Sequence, residues 1–178
     1  IGYVETFDGL HQYYGSGWDV TLFFNERILP KLYLDVDVGA IYLGDPFDPE
    51  LDDDLTGYDD IESEMRMFYF SVGALYGFPL GSGNYSLTTG LAAGVYSVSM
   101  AFKTDFVADD YSNQYFGGNA SLAIAKRIAT NWTIETTCVA HYFGTNEARD
   151  DLFWVFTNFT AVDPFLLGIS VGVVIDLR

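Results

Sequence analysis

The sequence is short of positive charge, cysteine and long apolar runs. Eight Lys and Arg face 25 Asp and Glu, leaving a net charge of -17 over 178 residues. So acidic a chain cannot neutralise phosphates, which excludes a nucleic-acid partner. The single cysteine, Cys138, excludes an intramolecular disulfide framework and a Cys-rich zinc site. No stretch of 18 apolar residues occurs, so no transmembrane helix is expected. Barrel strands remain open, because they cross a bilayer with short alternating segments. The start at Ile1 has no basic region followed by an apolar one, as expected of a mature or trimmed chain.

Apolar and aromatic residues are abundant. Hydrophobic side chains make up 49% of the chain, with 13 Tyr, 15 Phe and three Trp. Disordered acidic chains lack aromatics, so disorder as the general state is excluded. The length fits one domain, residues 1–178.

The acidic charge is concentrated. Residues 45–64 hold ten carboxylates, two prolines and no Lys or Arg, which reads as a long exposed loop over 44–64. Asp52, Asp54, Thr56 and Gly57 match the first, third, fifth and sixth positions of a calcium loop. The twelfth position is Ser63, flanked by Glu62 and Glu64, and Asp59 stands where an apolar residue is usual. Two readings stand: a solvated charged loop, or loose Ca or Mg binding through Asp52, Asp54, Asp60 and Glu62. No other cofactor is expected. Arg27, Lys31, Lys126 and Arg127 lie instead in two short turn-like stretches.

Between these regions the period is two. In residues 31–43, Leu32, Leu34, Val36 and Val38 alternate with Tyr33, Asp35, Asp37 and Gly39. A helix would scatter these aspartates, whereas a strand puts them on one face. The same alternation marks residues 18–24, 65–76, 85–102, 115–125, 132–143 and 167–177, and residues 2–7 supply a short eighth strand. No segment has sustained helical periodicity. The fold class is all-β. A faint echo links residues 27–44 with 127–144, reading as two hairpins in equivalent environments.

The polar strand face is built from Gly, Ser, Thr, Asn and Tyr with a few carboxylates. Only three lysines occur, Lys31, Lys103 and Lys126, none in mid-strand. A water-facing sheet would carry more charge, while small polar residues suit a narrow barrel interior. The apolar face then points to lipid. Trp18, Tyr42, Tyr76, Phe78, Tyr85, Trp132 and Tyr142 stand near the ends of that face, where interfacial girdles belong.

With stretches such as RIATNWTIETTCVAHYFG and the terminal GISVGVVIDL, this pattern resembles the small outer-membrane barrels of Gram-negative bacteria, the OmpX/OmpA/OmpW type. The resemblance is architectural and covers the whole chain. It implies an eight-stranded antiparallel up-and-down transmembrane barrel in the outer membrane, with periplasmic termini. Its short turns would be residues 25–30, 78–84 and 126–131. Its outer loops would be 8–15, 44–64, 103–114 and 144–165. Such barrels usually end in an aromatic residue, and this sequence ends Asp176-Leu177-Arg178, which implies trimming or an atypical assembly signal.

Six residues are expected to line the lumen: Asp19, Asp35, Asp37, Glu135, His141 and Asp176. Either they form a cation-selective path or they are knit into a plugged, hydrogen-bonded interior. His141 has no serine in register, and Glu135 lies about 20 Å along the strand, so no catalytic set is expected. Residues 152–159, LFWVFTNF, are too apolar for a solvated loop. They read as a strand extension, as a patch for a protein partner or lipid headgroups, or as a separate strand. The leading expectation is a non-enzymatic structural or surface-interaction barrel. Its partners would be the bilayer and lipopolysaccharide, met through acidic loops. Alternatives are a narrow porin-like or hydrophobic small-molecule conduit, and a soluble β-barrel binding protein.

Overall fold

The computed structural model describes residues 1–7, 16–44, 62–81, 84–103, 108–143 and 165–176. Eight strands follow one another: β1 (Gly2–Phe7), β2 (Ser16–Leu29), β3 (Leu32–Gly44), β4 (Glu62–Leu80), β5 (Tyr85–Lys103), β6 (Ala108–Ala129), β7 (Trp132–Phe143) and β8 (Phe165–Ile175). Each pairs antiparallel with its sequence neighbours, and β1 pairs with β8, so the sheet closes into an up-and-down barrel.

Closure fixes which face is in. Leu22, Leu91 and Phe116 are 75%, 72% and 82% exposed, while Asp19, Asp35 and Asn119 on the opposite parity are buried. Exposure of large apolar side chains on every full-length strand marks a surface made for lipid. On β4 the outward row runs from Phe68 to Phe78. Ten steps along the strand at the usual rise and tilt give a belt roughly 25 Å tall, a hydrocarbon-core thickness. Aromatics border it at both rims. Trp18 stacks on Tyr42 at 5.6 Å on the loop side, and Tyr76 meets Phe78 edge-on at 4.7 Å on the turn side. Cys138 belongs to the outward row, between Leu122 and Ile169 in the ladder.

The turns are tighter than the sequence reading places them. β2 and β3 join through Pro30-Lys31, and β6 and β7 through Thr130-Asn131. Both ladders carry a register shift one step before the turn, between Arg27 and Leu29 and between Arg127 and Ala129. The bulged residues Ile28 and Ile128 are both half exposed. The echo at an offset of 100 is thus a repeated bulge-and-turn, and the bulge absorbs the residue by which each strand overruns its partner. Gly81, with φ of 59°, supplies the left-handed residue that turns β4 toward β5.

On the loop side, the expected loop over 103–114 is mostly strand. β6 begins at Ala108, opposite Lys103. Polar side chains made this segment read as loop, but ladder bonds use only backbone, and strands rising beyond the membrane tolerate polar residues on both faces. Likewise β4 takes Glu62 to Glu64 from the expected loop 44–64, and β8 takes Phe165 from 144–165. The expected loop 8–15 and the apolar stretch 152–159 lie outside the described residues.

Candidate functional site: a plugged lumen with a carboxylate cavity

The lumen has two storeys. Its loop-side half is filled by Ile41, Leu43, Met65, Met67, Tyr69, Tyr96, Val98, Tyr115, Phe143 and Leu166. Aromatic rings from four strands cross it. Tyr69 stacks on Tyr96 (5.6 Å, 21°), Tyr96 on Phe143 (5.5 Å, 20°), and Tyr115 meets Phe143 at 6.0 Å. Glycines make the room: a Cβ on Gly39 would run into the Tyr69 ring, and one on Gly117 would lie 2.8 Å from the Tyr96 ring.

His141 is 3% exposed and belongs to this plug. It packs against Tyr69 at 4.9 Å, and its Nδ1 is 3.3 Å from the Tyr96 hydroxyl. It packs between these two tyrosines.

Beneath the plug lies a cavity of about 90 Å³, lined among others by Asp19, Asp35, Asp37 and Glu135. The structure therefore brings together four of the six expected lumen residues, with His141 in the plug above them. Asp176 is the exception. Alternation keeps it on the lumen parity, but the β7–β8 ladder starts at Trp132 and Ile175. Asp176 falls beyond it, exposed at the turn-side rim, where its N–H donates to the Asn131 carbonyl (3.0 Å).

Short hydrogen-bond chains order the cavity wall. Thr21 Oγ1 donates to Asp19 Oδ2 (3.3 Å) and so accepts from the Tyr69 hydroxyl (2.6 Å), having one proton to give. Asn119 Nδ2 donates to Ser71 Oγ (3.1 Å), which donates to Asp37 Oδ2 (3.3 Å). That chain ties β6 to β3 across the lumen. Thr137 donates to Glu135 (3.0 Å), and the Asn25 amide, turned with its nitrogen inward, donates to Asp35 (2.5 Å). Among the described residues no Lys or Arg lines the cavity. The ion pair among them is Arg66–Glu64, at the loop-side rim. Asp19 Oδ1 is buried without a hydrogen-bond partner among the described residues.

The expected metal ligands Asp52, Asp54 and Asp60 lie outside the described residues. Glu62 opens β4, paired with Lys103. Among the described residues no group of three or more His, Cys, Asp or Glu is placed to hold a metal ion.

Tyr69 and Tyr96 fall among the Gly, Ser, Thr, Asn and Tyr of the polar strand face, to which sequence reasoning gave no role as a plug. The signal was present: two large rings on a face otherwise made of Gly, Ser and Thr, opposite glycines on neighbouring strands. What made it unreadable was register, which sets Gly39 against Tyr69 and Gly117 near Tyr96.

No family model matches the sequence, and neither does any curated protein. Solved structures do match over nearly the whole chain. Neisserial surface protein A aligns with a TM-score of 0.62 at 14% identity, covering 98% of this chain and 91% of its own. A major outer membrane protein from Thermus thermophilus aligns at 0.57 and 15%, covering 97% and 96%. Ail, the attachment invasion locus protein of Yersinia pestis, aligns at 0.51 and 11%, covering 98% and 93%, in a complex with the heparin analogue sucrose octasulfate. At these identities the likeness is one of fold. With a lipid-facing belt between two aromatic girdles, the chain has the eight-stranded barrel fold that these small outer-membrane proteins share.

Proposed function

We propose that this barrel is a non-enzymatic surface protein, acting through its outer loops rather than through its lumen. The observation that carries the reading is the aromatic stack Tyr69–Tyr96–Phe143, which fills the loop-side half of the interior with rings in van der Waals contact. Eight strands enclose only enough space for side chains or one small ligand. A filled lumen leaves the outer surface as the place where partners are met.

The loop over 44–64 gives that surface its chemistry. Its carboxylates, among them Asp52, Asp54, Asp60 and Glu62, would hold Ca or Mg loosely. Those ions would bridge the loop to the phosphates of lipopolysaccharide. The charge is opposite to what direct binding of a sulfated glycan analogue, as in the Ail complex, would need. Arg66, outward-facing at the level of Trp18 and Tyr42 and paired with Glu64, puts a guanidinium at headgroup height. The apolar stretch 152–159 is proposed as the patch for a protein partner.

The test is paired. Planar-bilayer recordings of the purified barrel should stay silent. Flotation with lipopolysaccharide vesicles should rise with calcium and fall with EDTA. Stable cation-selective steps abolished by Asp35→Asn and Asp37→Asn would replace this reading with a narrow conduit.

A further inference from the structure

The two ends of the barrel differ in charge, and the surface reading uses only the acidic one. At the turn side, four of the chain's eight basic residues stand exposed: Arg27, Lys31, Lys126 and Arg127. They fall in pairs on the two bulged turns, β2–β3 and β6–β7, which lie on opposite sides of the barrel. Outside the lumen, the acidic residues at this rim among the described ones are Glu26 and Asp176.

Each pair has the same make-up. One cation is set against the turn-side aromatic girdle. Lys126 continues the outward row of Leu122 and Ile124, and its Nζ lies 5.5 Å over the ring of its ladder partner Tyr85. Lys31 is held beside Tyr76 and Phe78, because its carbonyl accepts the Gly77 N–H (2.8 Å). The other cation stands at the bulge. Arg27 folds back on its own turn, donating from Nε to the Leu29 carbonyl (3.4 Å) and from a terminal nitrogen to the Pro30 carbonyl (3.0 Å). Arg127 holds the equivalent ladder position on the second turn.

Height decides what these cations meet. Ile124 stands opposite Leu87, and Leu87 opposite Phe78, which closes the lipid belt on β4. Lys126 is therefore one outward step beyond the belt, where a lysine lays its stem on apolar surface and sends its ammonium to the headgroups. Phosphate is the group a guanidinium and an ammonium at that level are made to bind.

We propose that the turn-side rim docks anionic phospholipids, one headgroup at each basic turn, its phosphate held between the lysine at the girdle and the arginine at the bulge. The lipid class is phosphatidylglycerol. The site lies at the other end of the barrel from the loop chemistry and does not depend on it. A net charge of -17 repels anionic lipid as a whole. Screening over about 8 Å at physiological salt leaves each headgroup to answer to the rim beside it.

The test uses the full chain refolded in phosphatidylcholine bilayers, with tryptophan quenching by phosphatidylglycerol or phosphatidylcholine brominated in the acyl chains. Trp132 lies two residues along β7 from Ile134, the ladder partner of Lys126, while Trp18 stands at the loop side. Trp18→Phe with Trp154→Phe leaves the turn-side reporter, and Trp132→Phe with Trp154→Phe leaves the loop-side one. At Trp132 phosphatidylglycerol should bind about threefold to fivefold more tightly than phosphatidylcholine. At Trp18 it should bind no more tightly. Lys126→Gln with Arg127→Gln should abolish the preference, and Lys126→Arg should keep it. EDTA should leave it intact, which separates it from calcium bridging by the acidic loop, so either reading can fail alone. Equal preference at the two tryptophans, survival in the double variant, loss in EDTA or displacement by millimolar inorganic phosphate at constant ionic strength would each overturn the proposal. Native mass spectrometry of the wild-type barrel from mixed micelles needs no variant and should show phosphatidylglycerol retained over phosphatidylcholine. Retention without preference would overturn it too.

Discussion

Tyr69 and Tyr96 stand directly opposite each other in the β4–β5 ladder and stack with their ring centroids 5.6 Å apart. Both rings point into the lumen, and with Phe143 they turn a tube into a closed vessel. Each carries its hydroxyl to a polar partner, Thr21 for Tyr69 and His141 for Tyr96. The same pair therefore contributes packing above and polar order below.

Removing a ring should cost stability and open the plug. Tyr96→Ala deletes a fully buried side chain and should cost about 3–5 kcal/mol, read from reversible urea unfolding in detergent. The same variant should conduct in planar bilayers where the wild type is silent. Normal stability together with silence would mean that the stack neither holds nor closes the lumen.

The glycines should discriminate. Gly39→Val sets a branched side chain against the Tyr69 ring and should destabilise by about 1–3 kcal/mol. At Gly77 the nearest atom to a new Cβ is 3.5 Å away, so Gly77→Ala should be neutral or slightly stabilising. Heat-modifiable migration on SDS gels at graded temperatures compares the two.

The lipid belt predicts a depth profile. Leu22→Arg puts a charge on the outer face well inside the belt and should cost about 2–4 kcal/mol. Ile28→Arg, at the turn-side bulge, should cost only about 0–1 kcal/mol. Equal costs for the two would place the bilayer elsewhere on the barrel.

Calcium should act on the acidic loop alone. Millimolar calcium should slow proteolysis within residues 44–64. Asp52→Asn combined with Asp54→Asn, Asp60→Asn and Glu62→Gln should remove the protection. Cleavage rates unaffected by calcium in the wild type would eliminate the metal-bridging proposal.

Much of this was legible in the chain. Alternation in residues 31–43 told inside from outside correctly at Asp35, Asp37 and Val38, because a strand offers only two faces and the one toward lipid tolerates no charge at mid-depth. Strand ends were less legible. Residues 108–114 looked like loop, since side-chain polarity says little about a ladder that extends past the membrane. Asp176 looked like a lumen residue because parity cannot say where a barrel stops.

The sequence alone determined the class of the molecule. Its period of two, its scarcity of lysine and its apolar outward face admit a barrel in lipid and little else, because each strand must satisfy its backbone with a neighbour while offering one face to hydrocarbon. Tertiary structure decided what lies inside. Which ring meets which glycine and which hydroxyl orders which carboxylate both depend on register between strands distant in sequence. A shift of two residues would preserve every inward and outward assignment and still dismantle the plug and the cavity. The deficit of positive charge was visible from the first count, but only the closed lumen brought four of those carboxylates together with no described lysine or arginine between them.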